Sequence, residues 1–251
     1  MYQEVVAGAP LPSALTNKFA HLWHLVGNTP MLALHYTYRG QPGRIFVKCE
    51  HYNLTGSLKD RMALYILQQA YEQGKIQPGD TIVEATSGNT GIAFAAIGKA
   101  LGHPVRILMP DWLSRERIDI IRSLGAEVML ISKAQGGFLG SIKLSEEMAA
   151  ADGRVFLTQQ FENCYNAEAH ARTTAPKLRP SWPAWAGAPM LLWRAWARAA
   201  PSWARATTSR RSFRACAFTR SSRPSRRLSP RATKWARTAS RVFPTNLFRP
   251  S

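Results

Sequence analysis

Apolar residues occur in two alternating patterns between residues 14 and 157. Apolar residues spaced three and four positions apart predict helices, and short continuous apolar runs predict buried strands. The predicted helices cover residues 14–25, 59–73, 89–101, 114–124 and 138–150. The predicted strands lie at the end of 26–34 and at 44–50, 81–85, 105–109, 127–131 and 155–157. Helices and strands alternating at this spacing predict an α/β fold with a doubly wound parallel sheet.

Two polar loops within this pattern carry candidate chemistry. The first, residues 53–61, reads NLTGSLKDR and leads into the helix predicted from residue 59. Ser57 or Asn53 can cap this helix, and Lys59 lies in its first turn. The positive end of the helix dipole favours a neutral amine, and a neutral lysine can attack an aldehyde to form a Schiff base. An exposed lysine on an ordinary helix fits the same residues.

The second loop, residues 86–91, reads TSGNTG and connects strand 81–85 to helix 89–101. Its hydroxyls, side-chain amide and backbone N–H groups lie where a helix begins, which is a favourable place for an anion. In a parallel sheet this loop also lies beyond the carboxyl ends of the strands, where ligands bind. A polar turn without a ligand is the alternative. The presence of both loops in one chain favours a ligand site.

These loops, with residues 27–30 (GNTP) and 159–161 (QQF), resemble the motifs of the fold type II pyridoxal-phosphate enzymes, specifically the cysteine synthase and cystathionine β-synthase group. The resemblance covers about residues 20–174. It implies that the cofactor is pyridoxal 5'-phosphate, that Lys59 carries it and is the catalytic base, and that Asn89 contacts its phenolic oxygen. It also implies that the residues holding the substrate carboxylate are Thr86, Ser87, Thr90 and Gln160.

Charge divides the chain near residue 174. The formal net charge is +18, but residues 1–174 contain all 15 acidic residues and 16 of the 33 Lys and Arg, so that part is close to neutral. Residues 175–251 contain 17 Lys and Arg, no acid, 9 of the 16 prolines and a single glycine, Gly187. Because these prolines interrupt both helical and strand patterns, we predict that the chain divides near residue 174. Residues 1–174 form the region that the resemblance implies is an enzyme, and residues 175–251 form a basic segment.

Three interpretations of the basic segment remain open. Interleaved Arg and Trp can bind nucleic acid, with an affinity that falls steeply as salt rises. A solvated basic tail is the second interpretation. We favour the third, translation in the wrong reading frame, because a one-base shift of codons for residues 237–250 can spell HRIQGISDEFIPA, which resembles the family's sequence. On that interpretation the segment is not a folded domain, and nucleic-acid binding is not expected.

The resemblance implies an ancestral β-replacement, in which O-acetylserine and sulfide give cysteine and acetate. The family also needs a glycine- and threonine-rich loop around the cofactor phosphate, and the basic segment, with Gly187 alone, cannot form it. We therefore predict that the second lobe is incomplete or replaced by non-native sequence and that this chain is inactive. The alternatives are a cystathionine β-synthase or serine/threonine dehydratase-like activity and, from another class, a nucleic-acid-binding protein acting through 175–251.

Expectations about partners follow from the same resemblance. The substrates are an amino acid and a thiol or sulfide, and the family suggests a homodimer. The three cysteines, Cys49, Cys164 and Cys216, are too scattered for a disulfide framework or a zinc site, and no metal is expected. No signal peptide or apolar run of membrane-spanning length is evident, so we expect a cytoplasmic protein without a membrane partner.

Overall fold

Six strands and six α-helices form in the part of the chain described by the computed structural model, residues 12–175. A single turn of 3-10 helix, Glu50–Tyr52, precedes the second α-helix. In chain order the elements are α1 (Ser13–Leu25), β1 (Met31–Tyr38), β2 (Gln41–Lys48), α2 (Lys59–Glu72), β3 (Thr81–Ala85), α3 (Asn89–Leu101), β4 (Val105–Pro110), α4 (Arg115–Ser123), β5 (Glu127–Ile131), α5 (Gly137–Ala151), β6 (Val155–Leu157) and α6 (Cys164–Thr173).

Strands β3 to β6 form a parallel sheet in the order β5-β4-β3-β6. Right-handed crossovers put α3 and α4 on one face of this sheet and α5 on the other, and α5 packs across all four strands. The central strands β3 and β4 are almost entirely buried. The doubly wound parallel α/β fold predicted from the sequence is confirmed.

Helix α3 lies unusually close to the sheet because two of its positions are glycines. A Cβ atom added at Gly98 would lie 2.7 Å from the Val105 side chain, and one added at Gly91 would lie 2.7 Å from the Thr86 side chain. On its other side α3 packs against α2, whose middle residues from Met62 to Leu67 are buried. This close approach brings the beginning of α3 directly over the carboxyl end of β3.

The predicted element positions are largely confirmed. Strands 81–85 and 127–131 and helix 89–101 begin and end as predicted, and Gly102 closes α3 with a φ of 98°. Ser114 precedes α4 as predicted, but its side chain makes no capping hydrogen bond. Helix α6 was not predicted, because its largely polar sequence carries no clear apolar spacing.

The prediction of a buried strand at residues 44–50 is wrong in its burial and its partner. Strand β2 ends at Lys48, is mostly exposed or half-buried, and pairs with β1 in an antiparallel hairpin separate from the main sheet. An apolar run fits a buried strand or a strand with one apolar face, and the run alone cannot distinguish them. The hairpin leaves five large apolar residues exposed, namely Leu32, Leu34, Tyr36, Tyr38 and Val47.

An ion pair between buried Arg61 of α2 and partly buried Glu50 is hydrogen-bonded to Thr29 of the GNTP stretch, residues 27–30. The Arg61 side chain is 1% exposed and donates from Nε to Glu50 Oε2 at 2.7 Å and from Nη2 to Glu50 Oε1 at 3.0 Å. Thr29 Oγ1 also donates to Glu50 Oε1, at 2.7 Å. Arg61 Nη1 donates to the carbonyl of Thr173 at 3.1 Å, so the end of α6 joins the same network.

The second carboxylate oxygen of Glu50 is satisfied from the loop that leads to α2. Asn53 Nδ2 donates to Glu50 Oε2 at 2.9 Å, while Asn53 Oδ1 accepts from the backbone N–H of Gly27 at 2.7 Å. Burial alone would raise the pKa of Glu50, but the hydrogen bonds from Arg61, Thr29 and Asn53 outweigh it and hold the pKa below its ordinary value. We call Thr29, Glu50, Asn53 and Arg61 the Arg61 network.

Replacing Arg61 should destabilise this region far more than replacing an exposed ion-pair arginine. In Arg61→Ala the Glu50 carboxylate, 17% exposed, loses its main partner but keeps Lys48 at 3.7 Å. We therefore expect a loss of about 3 kcal/mol in the free energy of unfolding, at the low end for a broken buried pair. Arg106→Ala is the matched control, because Arg106 and Glu127 form a 2.7 Å pair with side chains 35% and 55% exposed. That change should cost no more than about 1 kcal/mol.

Urea unfolding followed by circular dichroism measures both changes under the same conditions. Equal losses for Arg61→Ala and Arg106→Ala would contradict a central structural role for the Arg61 network.

Candidate functional site

The TSGNTG loop and the QQF stretch, residues 159–161, follow neighbouring strands at one edge of the sheet. Residues 86–88 follow β3 and lead into α3, whereas residues 158–160 follow β6. Strands β3 and β6 are parallel neighbours, with Val83 opposite Leu157, so both loops lie at the carboxyl edge. The chain moves from β3 to β4 and β5 and then returns to the other side of β3. This point, where the strand order reverses, is where open α/β sheets bind ligands.

A chain of buried hydrogen bonds crosses between the two loops. Thr90 Oγ1 donates to Gln160 Oε1 at 2.7 Å, and Gln160 Nε2 donates to Glu84 Oε1 at 2.7 Å. A weaker contact of 3.4 Å joins Gln160 Nε2 to the carbonyl of Ala85. The other oxygen of Glu84 accepts from the hydroxyl of Thr158. Thr90, Gln160, Glu84 and Thr158 are all at most 5% exposed.

Glu84 is the only one of these residues that titrates, and the sequence analysis did not single it out. Complete burial raises the pKa of its carboxyl group from an ordinary value of 4.5 to about 7. The hydrogen bonds from Thr158 and Gln160 and the positive charge of Lys59 lower this pKa, but they offset only part of the effect of burial. Near neutral pH the protonated and ionised forms of Glu84 are therefore both accessible.

Lys59 is half-buried at the first position of α2. Its positive charge affects the pKa of two other groups. It favours the ionised form of Glu84 in β3. On the other side it contributes, after burial, to lowering the pKa of His170 in α6 to about 4. The charge of Lys59 therefore acts on both Glu84 in β3 and His170 in α6.

The loop before Lys59 is fixed by its own polar side chains. Ser57 Oγ accepts from the backbone N–H of Lys59 at 3.2 Å. The N-cap residue of α2 is Leu58 and no side chain caps this helix, so the predicted cap by Ser57 or Asn53 is wrong. The Asp60 carboxylate accepts from the backbone N–H of Thr55 at 2.7 Å and from the Thr55 hydroxyl. These contacts hold the turn in one conformation and set where the Lys59 side chain begins.

The remaining predicted site residues fall into an exposed and a buried group. Ser87 and Asn89 are exposed at the beginning of α3, whereas Thr86, Thr90 and Gln160 are buried. Thr86 Oγ1 accepts from the backbone N–H of Gly88 at 3.3 Å and so shapes the loop. The structure brings Thr90 and Gln160 into contact. Because Gln160 directs its N–H groups at Glu84 and Ala85, it acts on the loop through Thr90 in this arrangement.

Glu84 and Thr158 are functional candidates that sequence reasoning missed. The available signal was a carboxylate inside the otherwise buried strand TIVEA, since an acidic residue at such a position needs hydrogen-bond partners. The identity of those partners was not accessible, because Thr158 and Gln160 lie more than 70 residues away along the chain.

Three further features bear on possible binding: a surface pocket, groups of metal-binding side chains and membrane-spanning helices. A surface pocket of about 240 Å³ lies between the end of α1 and the end of α6, lined partly by Trp23, Asn28 and Arg172, and not at the two loops. Between residues 12 and 175 no group of three or more His, Cys, Asp or Glu side chains is placed to hold a metal ion. In the same stretch no helix is both long and apolar enough to cross a membrane.

Comparison with known proteins identifies the class. Residues 22–187 match the family described as pyridoxal-phosphate dependent enzyme, and the chain belongs to that family. It is 40% identical over 158 residues to cysteine synthase of Staphylococcus aureus (strain N315), covering 63% of this chain and 50% of that protein. It is 42% identical over 153 residues to cysteine synthase B of Escherichia coli (strain K12), covering 61% and 50% respectively.

Solved structures give the same relationship. A hydrogen sulfide-producing enzyme from Fusobacterium nucleatum is 55% identical with a TM-score of 0.63, over 65% of this chain and 49% of that one. Cysteine synthase from Entamoeba histolytica is 36% identical with a TM-score of 0.58, over 64% and 49%. The resemblance to cysteine synthases is confirmed, and the chain spans about half the length of the relatives it matches.

Glu84 should make the stability of this fold fall as the pH rises. The unfolded carboxyl group ionises near 4.5 and the folded one near 7, so between these values only the unfolded state releases the proton. Raising the pH through this window therefore favours unfolding. Glu84→Gln has no carboxyl group to ionise, and between about pH 5 and about pH 8 it should lose about 1–3 kcal/mol less stability than the wild type.

Urea unfolding of both proteins at the two pH values gives this difference directly. The histidines His103 and His170 are common to both proteins, so their titration cancels in the comparison. A wild type and variant with the same pH dependence would mean that Glu84 ionises in the folded protein as it does in the unfolded chain.

Proposed function

We propose that the chain derives from an enzyme that carries out a pyridoxal-phosphate-dependent β-replacement, making cysteine and acetate from O-acetylserine and sulfide. We also propose that this 251-residue product is itself inactive. The observation that carries the first statement is the position of Lys59 and the TSGNTG loop around one point, the carboxyl end of β3, in a chain whose relatives are named cysteine synthases. The fold alone would not specify this reaction.

The residues around this point fit the cofactor's reactive end. Lys59 supplies the amine that holds the aldehyde, and Asn89, exposed at the first position of α3, supplies an amide for the phenolic oxygen. When bound, pyridoxal phosphate supplies an electron sink for an amino acid that loses its α-proton. Lys59 Nζ is the group that takes this proton and later returns it.

The remaining loop residues hold the amino-acid substrate in place. The substrate carboxylate is placed at the beginning of α3, where the backbone N–H groups and the helix dipole favour an anion. Thr86, Ser87 and Thr90 supply hydroxyls there, and Gln160 fixes the Thr90 hydroxyl. Holding the carboxylate orients the Cα–H bond toward Lys59, which lowers the entropic part of the barrier.

The proposal that this chain is inactive rests on the composition of the basic segment, almost all of which lies outside the described residues. A phosphate site built from backbone N–H groups needs glycines where the chain approaches the ligand closely, and residues 175–251 contain only Gly187. We propose that this segment is read out of frame. The nucleotide sequence around codons 172–178 tests that directly, because an inserted or deleted base must be present there relative to genes of the relatives.

Alternative reactions of the same family differ in the nucleophile. A cystathionine β-synthase would use homocysteine, and a serine or threonine dehydratase would use no added nucleophile. Steady-state rates with sulfide, homocysteine or neither, on a protein whose frame is restored near codon 175, separate the three. Assembly as a homodimer and a cytoplasmic location remain predictions.

Lys59 should be required for covalent attachment of the cofactor. In the frame-restored protein, Lys59→Ala should abolish both the visible absorbance of the bound cofactor and the β-replacement, with activity falling by at least about a hundredfold. Lys75→Ala, which removes an exposed lysine after α2, is the matched control and should leave both unchanged. The 251-residue chain should show no stable band, and a stoichiometric band that survives dialysis would contradict the argument from the missing loop.

Thr90 should affect substrate capture and not cofactor attachment. Thr90→Val keeps the side-chain shape and removes the hydroxyl, and a hydrogen bond to a charged group contributes about 1.5–3 kcal/mol, so KM should rise by about tenfold to a hundredfold. The visible band of the frame-restored protein should remain. An unchanged KM would remove Thr90 from the carboxylate site.

A further inference from the structure

We propose that a proton on Glu84 sets the direction of the hydrogen bonds along Glu84, Gln160 and Thr90, and that only the protonated state frees the Thr90 hydroxyl hydrogen for a substrate carboxylate. Glu84 is then a positioning residue that makes substrate binding take up a proton. The second half of this statement rests on the proposed function, because it takes Thr90 as part of the carboxylate site.

The observed arrangement corresponds to ionised Glu84. A carboxylate only accepts hydrogen bonds, so Gln160 must turn its Nε2 toward Glu84 Oε1. The Gln160 carbonyl oxygen then faces Thr90 and accepts its hydroxyl hydrogen at 2.7 Å. A threonine hydroxyl has one hydrogen, and here that hydrogen is used inside the protein. What Thr90 offers outward is a lone pair, which repels an anion.

Protonation of Glu84 reverses each of these bonds. The carboxyl group becomes a donor, and half a turn of the Gln160 amide places its oxygen toward Glu84 and its nitrogen toward Thr90. The turn exchanges two atoms of similar size, so both hydrogen bonds can form over the same short distances. Thr90 now accepts from Gln160, and its hydrogen is released. The turn replaces the weak 3.4 Å hydrogen bond from Gln160 to the carbonyl of Ala85 with a contact between two oxygen atoms, a cost that the two short bonds that re-form offset.

The surroundings of Glu84 place this reversal near neutral pH. Thr158 from the loop after β6 and the Gln160 amide donate to it, and the positive charge of Lys59 in α2 also acts on it. All three favour the ionised form, and burial favours the protonated form more strongly, which gives a pKa of about 7. A bound carboxylate ligand that accepts the Thr90 hydrogen also favours the protonated form of Glu84.

The direction of the amide can be observed without enzymatic activity. In the 15N-labelled 251-residue chain, the side-chain N–H signals of Gln160, identified by their loss in Gln160→Met, should shift with a midpoint near pH 7. Asn53 is the matched control, because its amide donates at 2.9 Å to Glu50, whose pKa is lowered. The Asn53 signals should stay constant across the same range.

Two variants connect the Gln160 shift to Glu84. In Glu84→Gln the Gln160 signals should no longer titrate. Thr158→Val removes a hydrogen bond that favours ionised Glu84, so the midpoint should rise. Gln160 signals that do not titrate in the wild type, or that titrate equally in Glu84→Gln, overturn the proposal. A midpoint that does not change in Thr158→Val also overturns the proposal.

Glycine is the probe for the link to Thr90, because it presents an amino-acid carboxylate and no side chain. A ligand that prefers the protonated chain tenfold raises the midpoint at saturation by about one pH unit. Glycine should raise the midpoint in the wild type and leave it unchanged in Thr90→Val. If the midpoint does not move while backbone signals of Ser87 and Asn89 report binding, the Thr90 link is refuted.

Failure of this inference and failure of the proposed function give different results. If glycine perturbs no loop signal at any pH, the Thr90 half of this inference fails, while the Glu84-dependent reversal stands on the Gln160 titration. The carboxylate site of the proposed function is decided separately, by the KM of Thr90→Val in the frame-restored protein. If Lys59 holds the cofactor but the Gln160 signals do not shift with pH, the proposed function stands. The inferred reversal of the hydrogen bonds along Glu84, Gln160 and Thr90 is then refuted.

Discussion

A carboxylate buried in the central strand of a parallel sheet constrains the structure around it more than any other group here. Glu84 is 2% exposed in β3, and water cannot satisfy its oxygens. The partners it needs come from beyond the end of β6, so the two strands and their loops are tied together at the edge where ligands bind. An unsatisfied carboxylate at this depth would cost several kcal/mol. The geometry of the Thr90 loop follows from that requirement.

In the proposed function some motif residues contact the cofactor or substrate, whereas others only stabilise the loops that carry them. Lys59 and Asn89 are accessible at the beginnings of two helices, whereas Thr29 and Arg61, which belong to equally characteristic stretches, are consumed by the Arg61 network. That network fixes the loop before α2 to residues 27–30 and to α6. In the proposed function only Lys59 and Asn89 of these four residues contact the cofactor directly.

The sequence predicted most of the local structure and little of the side-chain network. Strand 81–85 and helix 89–101 follow from an apolar run, a polar loop and a terminal glycine, all of which are local signals. The hairpin was missed because the run at Ile45–Val47 is apolar without showing which element covers it. Lys59, Asn89 and Thr90 were proposed as site residues through resemblance. The bond from Gln160 to Glu84 joins residues 76 positions apart and depends on the pairing of β3 with β6, which local sequence does not show.

The hydrogen bond between Arg61 and the carbonyl of Thr173 has a consequence for the newly made chain. The guanidinium of Arg61 can form all of its hydrogen bonds only when Thr173, 112 positions later, is in place. During synthesis, α2 therefore emerges from the ribosome long before its buried arginine can be fully satisfied. Domains generally fold as units as they emerge, and here the unit closes with the last turn of α6. The ribosome must add and release that turn before the region can reach its final state.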